Sequence, residues 1–191
     1  MLWPYPYYLY ERELPKNFCN AMLSMFKEHD AEKAGVYIEN KTEIQTEVRN
    51  NSIKWINNSD IIEIMQLYVQ KANEDAGWNF DITTYETPQL SCYAPEQFYD
   101  WHIDVGVELP EDTQFRKLSV SISLNEDYEG GDFEIEHWCA PDITNRKTNI
   151  KGMRETGSIV VFPSFLHHRV TPVTTGKRYS LVCWFRGPPF K

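Results

Sequence analysis

Leu118-Ser119-Val120-Ser121-Ile122-Ser123-Leu124-Asn125 alternates aliphatic and small polar side chains without a break. Successive side chains of an extended chain point to opposite faces, so this period of two predicts a strand with one apolar face. Further strand-like stretches lie downstream: GDFEIEHW (131–138), GSIVVFPS (157–164), HRVTPV (168–173) and RYSLVCWF (178–185). Turn residues separate them, notably Gly130-Gly131 and Thr174-Thr175-Gly176. Strands this short and numerous predict a closed or double-sheet β-fold.

Upstream the period changes. From Pro15 to His29, Phe18, Met22, Met25 and Phe26 recur at helical spacing. A second helix is predicted from Ser59 as N-cap, with Asp60 and Glu63 in its first turn and Gly77 as its stop. Its buried stripe is Ile61, Ile62, Met65, Tyr68, Val69 and Ala72. The methionines in these helices read as packing residues. The two helices are expected to cover one outer face of the β-structure, giving a mainly β (α+β) single domain over 1–191. The segment Gly35–Trp55 reads as a surface hairpin, with a lid as the alternative, and polar Asp142–Gly152 as a mobile loop.

Composition narrows the function classes. With 41% hydrophobic and 14% aromatic residues, the 191-residue chain is expected to fold around a sizeable core. A formal net charge of −9 offers no electrostatic footprint for a phosphate backbone, which argues against nucleic acid as a partner. Cys19, Cys92, Cys139 and Cys183 are widely spaced and form no C-x-x-C pair, so they read as buried reduced thiols. No segment has the length of a membrane span, and the N-terminus lacks the pattern of a signal peptide. A soluble, cytoplasmic protein is expected.

The chemistry concentrates in QFYDWHIDVG (97–106) and FPSFLHHRVTPVTTGKRYS (162–180). His102 and Asp104 are two apart, so on an extended chain both can reach one metal. One distant His completes two imidazoles and a carboxylate, a set that leaves half an octahedron open and is diagnostic of non-haem Fe(II) oxygenases. Adjacent strand residues face opposite ways. Parity favours His168 over His167, because Val170 and Pro172 would then share its side. Arg178 begins the next strand, and its fork suits a carboxylate bidentately. Ser180 shares the face of Arg178, and the last segment offers no acidic partner for a buried arginine, which points to an external acid. His29 and His137 have no partner at metal spacing and read as ordinary surface or strand residues.

From about Leu90 onward the chain resembles the prolyl 4-hydroxylase-like branch of the 2-oxoglutarate- and Fe(II)-dependent oxygenases. The family pattern H-x-D … H-x-V-x-P-V-T-x-G-x-R stands here as His102-Ile103-Asp104 and His168-Arg169-Val170-Thr171-Pro172-Val173-Thr174-Thr175-Gly176-Lys177-Arg178. The resemblance assigns His168, not His167, as the third ligand, and implies a double-stranded β-helix (jelly roll) with helical buttresses. It implies Fe(II), O2 and 2-oxoglutarate, with ascorbate as a candidate accessory reductant, and oxidative decarboxylation to succinate and CO2. Tyr93 falls where the family places a tyrosine on the far carboxylate of 2-oxoglutarate, beside Arg178 and Ser180. Arg178 stands where many collagen-type members carry lysine. The family's Gly-Gly-Glu-Thr reads Gly130-Gly131-Asp132-Phe133, which removes a hydroxyl from the cosubstrate site. Tyr99, Arg116 and Trp184 match positions that line the peptide groove, so the resemblance implies a proline-containing peptide or protein as substrate. A free amino acid or other small molecule is the alternative substrate class, and a non-catalytic β-barrel binding module the alternative outside enzymes.

Overall fold

The computed structural model describes residues 5–27, 31–38, 41–105, 114–138 and 146–190. The N-terminal part runs β1 (Tyr8–Tyr10), α1 (Lys16–Lys27), β2 (Glu32–Lys33), β3 (Val36–Ile38), β4 (Lys41–Glu43), β5 (Arg49–Asn50), β6 (Ser52–Trp55) and α2 (Ser59–Asp75). It continues through β7 (Thr84–Tyr85), β8 (Gln89–Tyr93), β9 (Phe98–His102), β10 (Phe115–Ser123), β11 (Tyr128–Gly130), β12 (Phe133–Glu136) and β13 (Lys147–Asn149). A 3-10 turn (Lys151–Arg154) then leads to β14 (Ile159–Pro163), β15 (His168–Val170), β16 (Val173–Gly176) and β17 (Arg178–Gly187).

Two antiparallel sheets carry the site. The larger has the order β1-β14-β10-β17-β8-β6-β2, with β7 added to β17, and the smaller has the order β13-β12-β15-β9-β5. This is the double-stranded β-helix that the resemblance implied, with the helices packed against the large sheet as buttresses. The alternation in LSVSISLN explains its layering. Leu118, Val120 and Ile122 are fully buried in one core with Met65 and Val69 of α2 and Cys19 of α1. Burying each such aliphatic side chain contributes roughly 1.5–3 kcal/mol. The intervening Ser119, Ser121 and Ser123 are buried too. They share the inner face of the large sheet, on which Val160 and Phe162 of β14 meet Phe133 and Ile135 of β12 in a second core between the sheets.

The helices stand close to their expected ranges. The N-cap of α2 is Asn58, one residue before the expected Ser59: its side chain accepts hydrogen bonds from the backbone N–H groups of Asp60 and Ile61. At the other end, Gly77 has φ +69°, the left-handed conformation that stops a helix. Cys19, absent from the expected stripe of α1, is fully buried.

Three segments depart from expectation. Among the described residues of Gly35–Trp55, β3 and β4 pair with each other, β6 joins the large sheet beside β8, and β5 pairs with β9 in the small one. Of Asp142–Gly152, residues 142–145 lie outside the described residues. The remainder is not a loop, because β13 pairs with β12 and Lys151 opens the 3-10 turn. The HRVTPV stretch also divides: β15 belongs to the small sheet, and β16 to a separate ribbon with β11. No helix of the described residues is long and apolar enough to cross a membrane.

Candidate metal and oxoacid site

Strand pairing brings the three candidate ligands together. His102 on β9 stands directly opposite His168 on β15. Asp104 lies just past the end of β9, where its backbone N–H donates to the Ser164 carbonyl at 2.9 Å. One donor atom from each of the three residues falls within 4.8 Å of the others. His102 Nε2 is 3.7 Å from Asp104 Oδ1, and His168 Nε2 is 3.5 Å from Asp104 Oδ2. His167 is exposed, and so is Pro172, while Val170 is buried. Parity therefore places His168 and Val170 inside but does not extend to Pro172, where the strand has already ended.

Both imidazoles are oriented for coordination. The His102 Nδ1 is 2.7 Å from the Asp100 carbonyl, and the His168 Nδ1 is 3.0 Å from the Leu166 carbonyl. A carbonyl only accepts, so each Nδ1 carries the proton and each Nε2 turns a lone pair inward. Burial, reinforced by the adjacent His168, pushes His102 down to about 3. Burial alone would raise the Asp104 carboxyl. His168, His102, Arg116 and the Ser119 hydroxyl outweigh it and hold the group at about 2. Two imidazole nitrogens and one carboxylate form a donor set that fits a divalent cation.

The oxoacid side of the cavity is built on β8 and β17. Their register sets Tyr93 against Arg178 and Ser91 against Ser180. Arg178 is only 1% exposed, donates from Nη1 to Ser180 Oγ at 3.1 Å, and leaves its buried Nε without a partner. Its guanidinium lies 5.5 Å from the Tyr93 ring centroid. Among the described residues no carboxylate lies within ion-pairing distance of it. A buried cation without an anion is costly unless a ligand supplies one, so these residues fit an acid entering the cavity. Gly131 keeps the space open: a Cβ there would lie 3.1 Å from Arg178 Cδ and 2.9 Å from Val173 Cγ2. Phe133, in the place of the threonine that the resemblance led one to expect, packs against Phe162 and faces His168 as an apolar wall.

The three expected substrate residues separate into two groups. Tyr99 and Trp184 line the cavity that also holds the triad and Arg178. Tyr99 stacks on His102, and the buried Trp184 indole N–H has no partner. Arg116 is placed behind them. Its fork meets both oxygens of Glu86 at 2.6 and 2.5 Å, Nη1 donates to the Asp104 carbonyl, and the guanidinium lies 4.1 Å from the Trp184 ring centroid. Glu86 and Ser119 were not found by reading the sequence, and Arg49 stood out only as a charge within the Gly35–Trp55 segment. Glu86 sits sixteen residues before His102 with no motif around it. Ser119 was hidden in plain alternation. Arg49, 4.6 Å from the Tyr99 ring centroid, reaches the cavity because β5 pairs with β9. His137, expected at the surface or on a strand, is 7% exposed just past β12, with Nε2 2.9 Å from Thr148 Oγ1. His29 and Cys139 lie outside the described residues.

Residues 88–186 match the family model described as the 2OG-Fe(II) oxygenase superfamily. A PKHD-type hydroxylase from Hyphomonas neptunium is 38% identical over 102 residues, covering 52% of this chain and 42% of that protein. The matched stretch thus spans less than half the length of this curated relative. A crystal structure of a Pseudomonas putida prolyl-4-hydroxylase superposes with a TM-score of 0.75 at 22% identity, covering 96% of this chain and 94% of that one. A prolyl hydroxylase from Trichoplax adhaerens, in complex with a peptide fragment of the hypoxia inducible factor oxygen degradation domain, gives a TM-score of 0.65 at 17% identity, covering 94% and 83%.

Proposed function

The chain belongs to the 2OG-Fe(II) oxygenase superfamily, and from that membership we propose that it is a dioxygenase hydroxylating prolyl residues of a peptide or protein, with release of succinate and CO2. The observation that carries this reading is the sharing of one cavity by the His102–Asp104–His168 cluster and the unpaired, buried Arg178. His102, Asp104 and His168 would hold Fe(II), which when bound supplies the redox centre for O2 activation coupled to decarboxylation of the oxoacid. Arg178, Ser180 and the Tyr93 hydroxyl would hold the far carboxylate of 2-oxoglutarate, and their burial excludes water from that end. Phe133 and Phe162 form the apolar side of the cavity and keep solvent from the ligand face of His168. Tyr99 and Trp184 would flank the target ring, with the unpartnered Trp184 N–H as a donor to a substrate carbonyl. Arg116 would fix Trp184 from behind.

A free amino acid or other small acid is the second reading, favoured by Arg49. This cation lines the same cavity, and among the described residues it bonds only neutral partners: Asn51, Gln89 and the Gly35 carbonyl. Succinate formation measured with proline-containing peptides and with free amino acids separates the two. Peptide-dependent succinate accompanied by a mass gain of one oxygen on proline supports the first. Turnover confined to a free amino acid replaces it with the second, and no iron-dependent consumption of 2-oxoglutarate with any substrate removes both.

A further inference from the structure

We infer that Ser119 is a positioning residue that holds Asp104 as a ligand through one oxygen, and so keeps the remaining coordination positions of the metal open. The inference rests on the metal-site reading above and is independent of the substrate. Ser119 lies on β10 between Phe162 of β14 and Trp184 of β17, fully buried. Its Oγ is 2.6 Å from Asp104 Oδ2 and 2.9 Å from Ser164 Oγ. A hydroxyl has one proton to give, and the Asp104 anion only accepts. Ser119 therefore donates to Asp104 and accepts from Ser164, which fixes the direction of the whole chain.

Ser164 is itself anchored. Its N–H donates to the Lys117 carbonyl at 3.0 Å, and its carbonyl accepts the N–H groups of Asp104 and Val105 at 2.9 and 3.1 Å. The backbone and the carboxylate of Asp104 are thus both referenced to one buried serine. A short O–H···O⁻ bond is charge-assisted, at the strong end of the hydrogen-bond range. It engages Oδ2 and leaves Oδ1 as the donor. A carboxylate free to rotate would lose its alignment toward the cluster, weakening its hold on a metal, and could swing into a position that an incoming oxoacid needs. Ser119, itself fully buried, removes that freedom.

The test is anaerobic titration of the full chain with Co(II) or Mn(II), in the absence of substrate, for the parent, Ser119→Ala, Ser119→Thr and Ser119→Val. Thr and Val share the branched shape and exchange a hydroxyl for a methyl. Losing a hydrogen-bonding partner of a ligand typically weakens metal affinity 10–100-fold, so Ala and Val should bind the metal more weakly by that factor while Thr stays near the parent. On the Co(II)-loaded proteins, 2-oxoglutarate should bind more weakly to the Ala and Val variants, because the freed carboxylate competes for its position. Circular dichroism confirms that the compared variants keep the parental fold. Parental metal affinity in Ala and Val, or equal losses in Thr and Val, would overturn the role of Ser119 alone. A parent that binds neither metal would overturn the metal site itself.

Discussion

Tyr99 lies flat on His102, with ring centroids 3.4 Å apart and planes 10° from parallel. The stack sits on a candidate ligand that also bonds the Asp100 carbonyl and packs against the His168 ring, and it limits rotation of the imidazole about its last bond. Aromatic pairing of this kind contributes about 0.5–1.5 kcal/mol, and Tyr99→Ala should weaken Co(II) or Mn(II) binding by roughly 3- to 10-fold. Tyr99→Phe keeps the ring and should keep the affinity. Equal metal binding by all three proteins, measured by direct titration, would show that the stack does not hold the ligand. A raised KM for peptide in Tyr99→Phe, with metal affinity intact, would assign the hydroxyl to the substrate.

Arg178 makes opposite demands on the free and ligand-bound protein. Buried without a carboxylate, it destabilises the empty fold, and an entering diacid relieves that cost. Arg178→Met should therefore melt no lower than the parent without ligand. Adding 2-oxoglutarate together with Mn(II) should raise the melting temperature of the parent more than that of the variant. Removing one partner of a buried charge pair costs about 3–5 kcal/mol, so the 2-oxoglutarate requirement should rise on the order of 100-fold or more. An unchanged requirement would take Arg178 out of the site.

The candidate metal ligands and Arg178 were legible because they sit on strands or at strand ends, where a spacing of two translates directly into a shared face. Parity separated His168 from His167 correctly but failed at Pro172, since a period of two holds only while the strand lasts. The serines of LSVSISLN show a second limit. Alternation tells which face is apolar, but not whether the other face meets water or a polar cavity, and here it meets the cavity. Arg49 and Glu86 were illegible for a different reason. Each reaches the site through pairing or ion contacts across long sequence separations, β5 with β9 and Glu86 with Arg116, and nothing local marks those partners. The Asn58 cap was a near miss, because Asn and Ser are equally good at that position and stand side by side.

Cys19, Cys92 and Cys183 are free and buried, as expected of buried reduced thiols. Burial raises all three thiols, Cys183 to about 12. An ordinary thiol near 8.5 is about one quarter thiolate at pH 8, whereas one near 12 is thiolate in roughly one molecule in ten thousand. Since the thiolate is the nucleophile, iodoacetamide at pH 8 should leave these three unmodified in the folded protein and label them in denaturant. Peptide mass mapping reads the result residue by residue. Rapid labelling of Cys183 in the native state would contradict its packing against the Glu86 carbonyl.

Glu86 serves two arginines. Arg116 meets both its oxygens, and Arg186 Nε lies 3.8 Å from Oε1. The side chains of Glu86 and Arg116 are 24% and 29% exposed, so the loss on breaking the pair is expected below the fully buried range, at about 1–3 kcal/mol. Glu86→Ala should lower the melting temperature by roughly 3–10 °C at a sensitivity of about 2–4 °C per kcal/mol. Arg116→Met should cost less, because Glu86 keeps Arg186 and the methionine still packs on Trp184. Thermal melts of the two single variants decide the matter through their order: if Arg116→Met is the more destabilised, the carboxylate is not the hub, and the stack of Arg116 on Trp184 is the contact that holds this corner of the cavity.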